Sequence, residues 1–514
     1  MLIKFMQTDI CPFNTKCSDY CACILADKSF YEWGKTMNTE QLFNKKILNF
    51  KSRIIIDGIV TVFDHYVNLD NAATTPPLKI VEKKVRAFLE SYGSVHRGSG
   101  EKSIVSTDKY EWARFIILKC VGAPEESYVV YSQNTTGAVN IIASLMAQIE
   151  GKIAVSDIEH SSSFLPFVVE EGRIRCQEQI HLNNFDAEAK QRIDDIQSLG
   201  KNQVCFYHID DQGKVDLDDL KKVLTEHHIK AVMLTASANL TGIRTNIKAV
   251  SELVHSFKNT YLIVDACQYI PHHEVNMVEM GIDFLVASGH KFYAPYGGGF
   301  LVGSKEFFDS FMPYQIGGGN LPYIDLQGNF YREFNNQAFD PGTPNSVGVY
   351  SMAVALKYLK KTLGYSSIEQ YEHNLALYAY KKLKEIPEVE LYVSEEDLGS
   401  TLTFTVKGLP ADWVAEELNC IYGIGVRAGA FCVYRYVNRL VGITDDKDIV
   451  EDVKHGYKDN IAGVIRASIG LQNTMQDMIL FVEAIKGIIA KHQSSGCLKK
   501  PKLSVQGSIN DSVF

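Results

Sequence analysis

The central part of the chain alternates short apolar segments with amphipathic segments of helical spacing. The apolar segments read SYVVYSQ, GKIAVSD, QVCFYHID, IKAVMLTAS, TYLIVDA and DFLVAS, and helical patterns such as DLDDLKKVLTEH and KAVSELVHSF lie between them. This alternation is typical of a largely parallel sheet that helices cover on both faces. Because such sheets bind ligands outside the carboxyl ends of their strands, polar residues at those ends are the candidates for a site.

At 514 residues the chain is longer than one ordinary domain, and its pattern divides it into four parts. Residues 1–60 form an irregular extension, and residues 61–335 form a large domain that contains the sheet. Residues 336–493 form a smaller α/β domain, and residues 494–514 form a polar tail that we expect to be disordered. The elements expected in the smaller domain are a helical stretch over 349–363, STLTFTVKGL, a helix from about Pro410, GVRAG, GVIRASIGL and the closing helix MQDMILFVEAIKGIIAKH.

The charge and the cysteine content indicate small-molecule chemistry in the cytoplasm. The formal net charge of −9 argues against a nucleic-acid partner, because phosphate backbones require a basic face. We find no secretory signal, no transit peptide and no window of about eighteen apolar residues, so we expect neither export nor a membrane partner. An odd number of cysteines, eleven, fits reduced thiols better than a disulfide framework.

Four of these cysteines lie close together in the extension over residues 1–60, which we call the leader. Cys11, Cys17, Cys21 and Cys23 lie in CPFNTKCSDYCAC, and their spacing matches neither paired zinc knuckles nor ferredoxin runs. Reduced thiols in the leader are the preferred interpretation, while sulfur relay or metal binding stays open. We assign no metal ligand.

One lysine stands at the end of a predicted interior strand. Lys291 lies in ASGHKFYAPYGGGF, between the apolar run 284–287 and a glycine triplet. Lysine is strongly hydrated and is rarely buried unless it is paired. It is either a surface residue with a partly buried stem or an amine held for covalent chemistry with an aldehyde.

Other strand ends carry complementary groups. In TYLIVDA the apolar run ends at Asp265, which is a helix cap, a member of a structural ion pair or a counter-ion for a protonated ring nitrogen. Thr135 and Thr136 lie in QNTTGAVN between a strand and a helix, where they are either ordinary helix caps or hydrogen-bond donors to a phosphate. Ser288 and His290 in SGHK are further candidates for binding a phosphate. A carboxylate, an amine and a phosphate cradle together are what pyridoxal 5′-phosphate requires.

A set of segments carries a family resemblance over about residues 65–490. In chain order they are YVNLDNAATTPP, SVHRGSGEKSI, QNTTGAVN, DIEHSSSFLP, SANLTG, VDACQ, SGHK, PGTPNS and IRAS. The sequence resembles class V aminotransferases of PLP fold type I, and within them group II cysteine desulfurases and selenocysteine lyases. The resemblance implies an α/β fold with a mainly parallel, seven-stranded-type sheet in a large PLP-binding domain, followed by a smaller α/β domain.

The resemblance implies a role for each residue around the cofactor ring. Lys291 would form the imine with the cofactor, and Asp265 would pair with the pyridinium nitrogen. Gln268 would hydrogen-bond the side of the ring hydroxyl, and Asn239 would lie beside the cofactor oxygen and the substrate. His160 would stack on the ring and assist proton transfer, although a lone histidine in such a strand is more often a core residue.

The resemblance also implies how the phosphate is held. Thr135, Thr136, Ser288 and His290 would bind it from one subunit. Thr343 of PGTPNS would reach it from the neighbouring subunit, which makes a homodimer the expected working unit. Without the family, GTPN would be only a turn.

The resemblance also implies which residues bind or admit the substrate. Arg466 of GVIRASIGL would grip the substrate carboxylate with its planar fork, where an arginine is otherwise usually a surface ion-pair residue. His96 and Arg97 of SVHRGSG would line the substrate entrance, with a solvated loop as an equal alternative.

Cys432 discriminates among the reactions of this family. Arg427, Gly429 and Cys432 reproduce the Arg-x-Gly-x-x-Cys loop of the desulfurases, in which the thiolate attacks the sulfur of substrate L-cysteine and leaves alanine and an enzyme persulfide. Arg427 and Arg435 would favour the thiolate. The alternative is a small buried hydrophobe, the common state of a free cysteine.

The loop departs from the usual desulfurase pattern. Ala430 and Phe431 precede the cysteine where histidines are often found, and the Phe-Cys pair is also similar to the loop of molybdenum cofactor sulfurases. The predicted reaction is therefore desulfuration of L-cysteine or selenocysteine lysis, with a sulfur-acceptor protein as a further partner. A C–S or C–Se lyase acting on another amino acid, an epimerase, an aminotransferase or a non-catalytic scaffold are the alternatives.

Overall fold

A computed structural model describes residues 52–56, 59–63, 66–180, 189–458 and 461–495. The leader cysteines Cys11, Cys17, Cys21 and Cys23 and the tail after residue 495 lie outside the described residues. The predictions made for them therefore stay predictions.

Seventeen strands are described, and they are numbered in chain order. They are β1 Ser52–Ile56, β2 Ile59–Phe63, β3 Val67–Asn68, β4 Ser127–Ser132, β5 Lys152–Ser156, β6 Val204–Tyr207, β7 Ile229–Thr235, β8 Tyr261–Asp265, β9 Phe284–Ser288, β10 Gly299–Ser304, β11 Tyr323–Ile324, β12 Phe330–Tyr331, β13 Val389–Leu391, β14 Thr401–Val406, β15 Ile424–Gly425, β16 Arg427–Gly429 and β17 Val464–Ser468.

Fifteen α-helices are described alongside them. They are α1 Lys79–Glu90, α2 Glu101–Cys120, α3 Thr135–Met146, α4 Ser161–Ile180, α5 Ala189–Lys201, α6 Leu217–Glu226, α7 Ile247–His255, α8 Met277–Met280, α9 Lys305–Asp309, α10 Ser346–Tyr358, α11 Tyr365–Lys384, α12 Ala411–Tyr422, α13 Tyr434–Leu440, α14 Lys447–Lys454 and α15 Met475–Ser495.

The predicted mainly parallel sheet is confirmed and has seven strands. Their order is β4-β10-β9-β8-β7-β5-β6. Only β10 runs against its neighbours, β4 and β9, while the pairs from β9 through β6 are parallel. All seven residues of β7 and all five of β9 are buried, as expected for strands that helices cover on both faces.

The register of this sheet brings the polar strand ends to one edge. Thr235 of β7 lies opposite Asp265 of β8, and Ser288 of β9 lies opposite Gly299 of β10. Gly299 in turn lies opposite Ser132 of β4. A side chain at Gly299 would clash, because its Cβ would lie 2.6 Å from the Cα of Asn134. Glycine thus lets the turn after β4 approach the sheet closely.

In the region predicted as a smaller α/β domain, the expected segments form β14, β16, β17, α12 and α15, whereas β13, α13 and α14 were not predicted. Strands β13, β14, β17 and β16 form an antiparallel sheet in that order. Helices α12 and α15 contribute buried Trp413, Leu418, Phe481 and Ile485 to the same core as the large sheet. The helix predicted over 349–363 is α10 followed by one π-helical turn, Leu359–Leu363.

The segment before the large sheet is tied to the smaller unit, which the strand pattern did not indicate. Strand β3 pairs in parallel with β15, and Asp70 forms a β-bridge with Ser468 at the end of β17. The Ser468 N–H donates to the Leu69 carbonyl at 2.7 Å. This connection brings Asp70 beside the strand that carries Arg466. No helix in the described part of the chain has the length and hydropathy that a bilayer crossing requires.

Candidate active site

A cavity of about 250 Å³ lies at the carboxyl edge of the large sheet, where the strand-end argument predicted it. It is bounded by the large sheet on one side and by the loop after β16 on the other. The predicted site residues that line it are Thr135, Thr136, His160, Asn239, Asp265, Gln268, His290, Lys291, Cys432 and Arg466.

Lys291 lies in a single helical turn, Gly289–Lys291, directly after β9. Within the described residues its amine makes no hydrogen bond or ion pair. Burial, and next the charge of Lys291, lower the pKa of His160 to about 4, and the same two causes lower that of His290 to about 4. Both imidazoles are therefore neutral at neutral pH. His160 Nδ1 accepts from the Ser162 N–H at 3.1 Å, so the proton of the neutral ring lies on Nε2.

Asp265 is buried at the end of β8, and both of its oxygens accept hydrogen bonds. Ser163 Oγ donates to Oδ2 at 2.8 Å, and the Cys267 N–H donates to Oδ1 at 2.9 Å. Two fixed donors hold the carboxylate in one orientation toward the cavity. Gln268 is likewise fixed, because its Nε2 donates to the Ala72 carbonyl at 2.7 Å.

The phosphate end of the predicted site is the start of α3. Asn134 caps this helix by accepting from the Gly137 N–H at 3.0 Å, and Thr135 and Thr136 are its first two residues. Free backbone N–H groups and the helix dipole make such a terminus suited to an anion. Ser288 is 1% exposed, and its Oγ has no hydrogen-bond partner among the described residues. An unpaired buried hydroxyl is costly unless a bound group satisfies it.

These groups fit pyridoxal 5′-phosphate. An amine without a partner, an oriented carboxylate, a helix start and an unsatisfied buried hydroxyl occupy one edge of the sheet, which matches the aldehyde, ring nitrogen and phosphate of that cofactor. The set is more specific than any one of its members, because each alone has an ordinary structural role.

Arg466 is buried on β17 and reaches the cavity from the smaller unit. Its Nη1 donates to the Asn239 carbonyl at 2.8 Å, and its Nη2 donates to Asp70 Oδ1 at 3.1 Å. Its Nε is buried without a partner among the described residues. Burial outweighs Asp70 and lowers the pKa of Arg466 to about 10, so the guanidinium stays charged at neutral pH. The unpaired Nε leaves a donor for a carboxylate.

Cys432 is exposed and lines the same cavity. Its backbone φ of 60° lies in the left-handed region, as does the φ of 52° at Phe431. Arg427 also lines the cavity, whereas Arg435 forms a salt bridge with Asp157 at 2.7 Å. Of the two arginines predicted to favour the thiolate, Arg435 is thus already paired with a carboxylate.

Four predicted site residues do not line the cavity. Ser288 lies behind it, as described above, and Thr343 lines a neighbouring cavity that shares Asn134 and Thr136 with it. His96 pairs with Glu111 at 2.7 Å. Arg97 Nη2 donates to the carbonyls of glycines 318 and 342 at 2.9 and 2.5 Å. Within this chain the structure does not bring His96 or Arg97 to the candidate site.

Sequence reasoning missed three residues around the cavity. Asp70 lies in the segment NLDNAATT, but nothing local signals its partner Arg466. Cys267 is buried with its Sγ 2.5 Å from Thr135 Oγ1, and burial, then Asp265, raise its pKa to about 12, so it stays a thiol. Glu159 is buried behind His160 and accepts from Thr235 N at 2.8 Å. Neither Cys267 nor Glu159 stands out in the sequence as more than a neighbour of a motif residue.

Comparisons with known proteins identify the family of this chain. The chain matches the family Aminotransferase class-V over residues 67–206 and 171–481. It is 29% identical over 433 residues to a probable cysteine desulfurase of Synechocystis sp., a match that covers 82% of this chain and 91% of that protein. A probable cysteine desulfurase of Mycolicibacterium paratuberculosis is 27% identical over 424 residues, and the match covers 82% of this chain but only 55% of that longer protein.

A comparison with solved structures also finds a similar protein of this kind. The apo structure of a cysteine desulfurase from Thermococcus onnurineus NA1 superposes with a TM-score of 0.69 at 27% sequence identity, covering 83% of this chain and 95% of that one. The family match spans most of the described sequence, including every strand of the large sheet and the strand that carries Arg466. This chain therefore belongs to the aminotransferase class-V family.

Proposed function

We propose that this protein is a pyridoxal 5′-phosphate-dependent cysteine desulfurase that takes sulfur from L-cysteine onto Cys432 and releases L-alanine. Relatives in the family carry that activity in their names, and their matches span most of this chain. The observation that carries the proposal is a single cavity lined by an amine, a buried carboxylate, a buried arginine and an exposed thiol.

The cofactor, when bound to Lys291, supplies an electron sink that activates the amino acid at its α-carbon. Asp265, oriented by Ser163 and the Cys267 N–H, would pair with the ring nitrogen and favour its protonated form. Thr135, Thr136, Ser288 and His290 would hold the phosphate at the start of α3. Gln268 would bind the ring on the side of its hydroxyl.

The substrate is oriented from the smaller unit. Arg466 would bind its carboxylate through the unpaired Nε and a neighbouring Nη hydrogen, while Asp70 and the Asn239 carbonyl hold the guanidinium in plane. His160 is neutral with its proton on Nε2, so it would donate a hydrogen bond from that nitrogen toward the substrate without adding a positive charge to the site.

Cys432 performs the sulfur transfer. Its thiolate attacks the sulfur of L-cysteine, the bond between that sulfur and the β-carbon breaks, and the bonding electrons stay with the carbon, which takes up a proton. One L-cysteine and one enzyme thiol thus give one L-alanine and one enzyme persulfide. Exposure of Cys432 at the cavity mouth supports this role, because a second acceptor, a thiol or a sulfur-acceptor protein, must reach the persulfide.

We further propose that the working unit is a homodimer in the cytoplasm. Thr343 lines a cavity of about 670 Å³ that adjoins the candidate site, and a residue from a second copy could reach the phosphate through it. Cys432 must be a free thiol at the start of each turnover, which fits a reducing compartment, and the six described cysteines are free.

The test compares wild type with Cys432→Ala, using L-cysteine and dithiothreitol, and measures alanine, sulfide and the cofactor absorbance. We expect bound cofactor in both proteins, with alanine and sulfide in equal amounts from wild type only. Cys267→Ala serves as the matched control, because Cys267 is a buried thiol at the same cavity and should leave a sulfide-producing enzyme.

Three outcomes would each overturn a part of the proposal. Bound cofactor without alanine from wild type would exclude desulfuration and direct the search to larger thioethers, epimerisation or transamination. Equal alanine production by Cys432→Ala would show that the sulfur leaves without this thiol. A Lys291→Ala variant that keeps the absorbance of the covalently bound cofactor would exclude the assigned amine.

A further inference from the structure

We propose that Phe431 is a positioning residue that couples recognition of the substrate carboxylate at Arg466 to presentation of the Cys432 thiol. The inference rests on the proposed function and assigns Phe431 a role that the reaction alone does not define. It follows from three contacts that close a circle around the cavity.

The first contact is between the aromatic ring and the guanidinium. The guanidinium carbon of Arg466 lies 4.6 Å from the ring centroid of Phe431, a distance that suits a cation–π interaction. Both residues are buried, at 2% and 8% exposure, so water screens the contact little. The ring therefore covers one face of the group that would bind the carboxylate.

Asn239 closes the circle through two hydrogen bonds. Its backbone carbonyl accepts from Arg466 Nη1 at 2.8 Å, and its side-chain Nδ2 donates to the Phe431 carbonyl at 2.9 Å. Each of the three residues thus contacts the other two. A movement of the guanidinium toward a carboxylate changes the environment of both the ring and the carbonyl of Phe431.

The backbone transmits that change to the nucleophile. Phe431 and Cys432 are consecutive residues with φ of 52° and 60°, a conformation that non-glycine residues adopt only when their surroundings hold them. The Cys432 carbonyl is fixed by the N–H and the Oγ of Ser161, both at 2.9 Å. With Ser161 anchoring one end and Phe431 the other, the orientation of the thiol depends on where the ring lies.

The first measurement requires no variant. In cofactor-bound wild type, the rate of Cys432 alkylation by iodoacetamide is followed by mass spectrometry of the Cys432 peptide, with L-alanine or with L-alaninamide present. We expect L-alanine to change the rate and L-alaninamide, which lacks the carboxylate, to leave it near the ligand-free value. An equal effect of the two compounds, or no effect of L-alanine, would overturn the inference.

The second measurement uses Phe431→Leu, which removes the ring but keeps an apolar side chain, and Phe431→Tyr, which keeps the ring. For Phe431→Leu we expect kcat for alanine formation to fall about five- to thirtyfold, with a smaller change in KM, and the effect of L-alanine on alkylation to disappear. Phe431→Tyr should restore both. A Phe431→Leu enzyme with wild-type kcat, or one that changes only KM, would contradict the positioning role.

Failure of the inference is distinguishable from failure of the proposed function. If wild type forms no alanine from L-cysteine, the desulfurase proposal fails, yet the alkylation experiment still decides whether a carboxylate is sensed at Cys432. If wild type forms alanine and the alkylation rate ignores the carboxylate, the desulfurase stands and the coupling through Phe431 is wrong.

Discussion

Replacement of Arg466 by lysine tests how the smaller unit selects an amino-acid substrate. The guanidinium spans two partners in different directions, Asp70 at 3.1 Å and the Asn239 carbonyl at 2.8 Å, and keeps its Nε unpaired. Lysine retains the positive charge but offers one ammonium in place of a planar fork. It can therefore attract a carboxylate but cannot bind it through two parallel hydrogen bonds.

The expected loss follows from one charge-assisted hydrogen bond. Such a bond contributes about 1.5 to 3 kcal/mol, which corresponds to a decrease of about 10- to 150-fold in kcat/KM for L-cysteine. No reduction for solvent screening applies, because the Arg466 side chain is 3% exposed. If Arg466 only bound the substrate carboxylate, its replacement by lysine would raise KM and leave kcat unchanged. A fall in kcat as well would therefore also support the coupling through Phe431.

The assay measures initial rates of alanine formation against L-cysteine concentration, with cofactor absorbance recorded for each protein. Arg173→Lys is the matched control, since Arg173 lies on α4 with its side chain 56% exposed and pairs only with Glu170 in the described structure. We expect this control to match wild type. An Arg466→Lys enzyme with full cofactor content and kcat/KM within about twofold of wild type would refute the assignment.

Three further predictions concern buried titratable groups. His160, whose pKa burial lowers to about 4, should stay neutral as pH falls from 7 to 5 in the cofactor-free protein, which NMR of labelled histidine checks; a midpoint near 6.5 would contradict it. Burial raises the pKa of Glu159 to about 8, so the folded state keeps a proton that the unfolded state loses, and stability should fall by about 1 kcal/mol per pH unit between pH 5 and 8. Glu159→Gln should flatten that slope in urea unfolding. Lys230→Met should cost about 3 to 5 kcal/mol by leaving buried Glu171 unpaired, whereas Lys305→Met at an exposed pair should cost under about 1 kcal/mol.

The departure at the cysteine loop gains a physical meaning from the Phe431 contact. The sequence shows only that Phe431 stands where related loops often carry histidine, which raises a question about substrate and acceptor. In the structure the ring covers the guanidinium of Arg466, a contact that an apolar aromatic residue makes without placing a further charge beside that guanidinium. The departure is therefore compatible with the proposed reaction.

The sequence by itself determined the sheet and the edge at which its ligand binds. Apolar runs of five to seven residues that alternate with amphipathic helices, such as those of β7, β8 and β9, indicate strands of a sheet covered on both faces. Because parallel strands end at one edge, the residues that follow those runs, among them Asp265 and Lys291, had to converge. The family resemblance then attached chemical roles to positions that local pattern had already singled out.

Only the tertiary structure decided which groups complete the substrate side. Asp70 and Arg466 are 396 positions apart, and Asn239 and Phe431 are 192 apart, so no local period relates them. The contact of Asp70 with Arg466 follows from the pairing of β3 with β15, which joins the start of the large unit to the smaller sheet. The contact of Asn239 with Phe431 joins the loop after β7 to the loop after β16. His96 instead contacts Glu111, 15 positions further along on α2, and does not reach the cavity. Hydrophobic periodicity specifies which face of an element is buried, but polar contacts between distant segments depend on how those elements pack together.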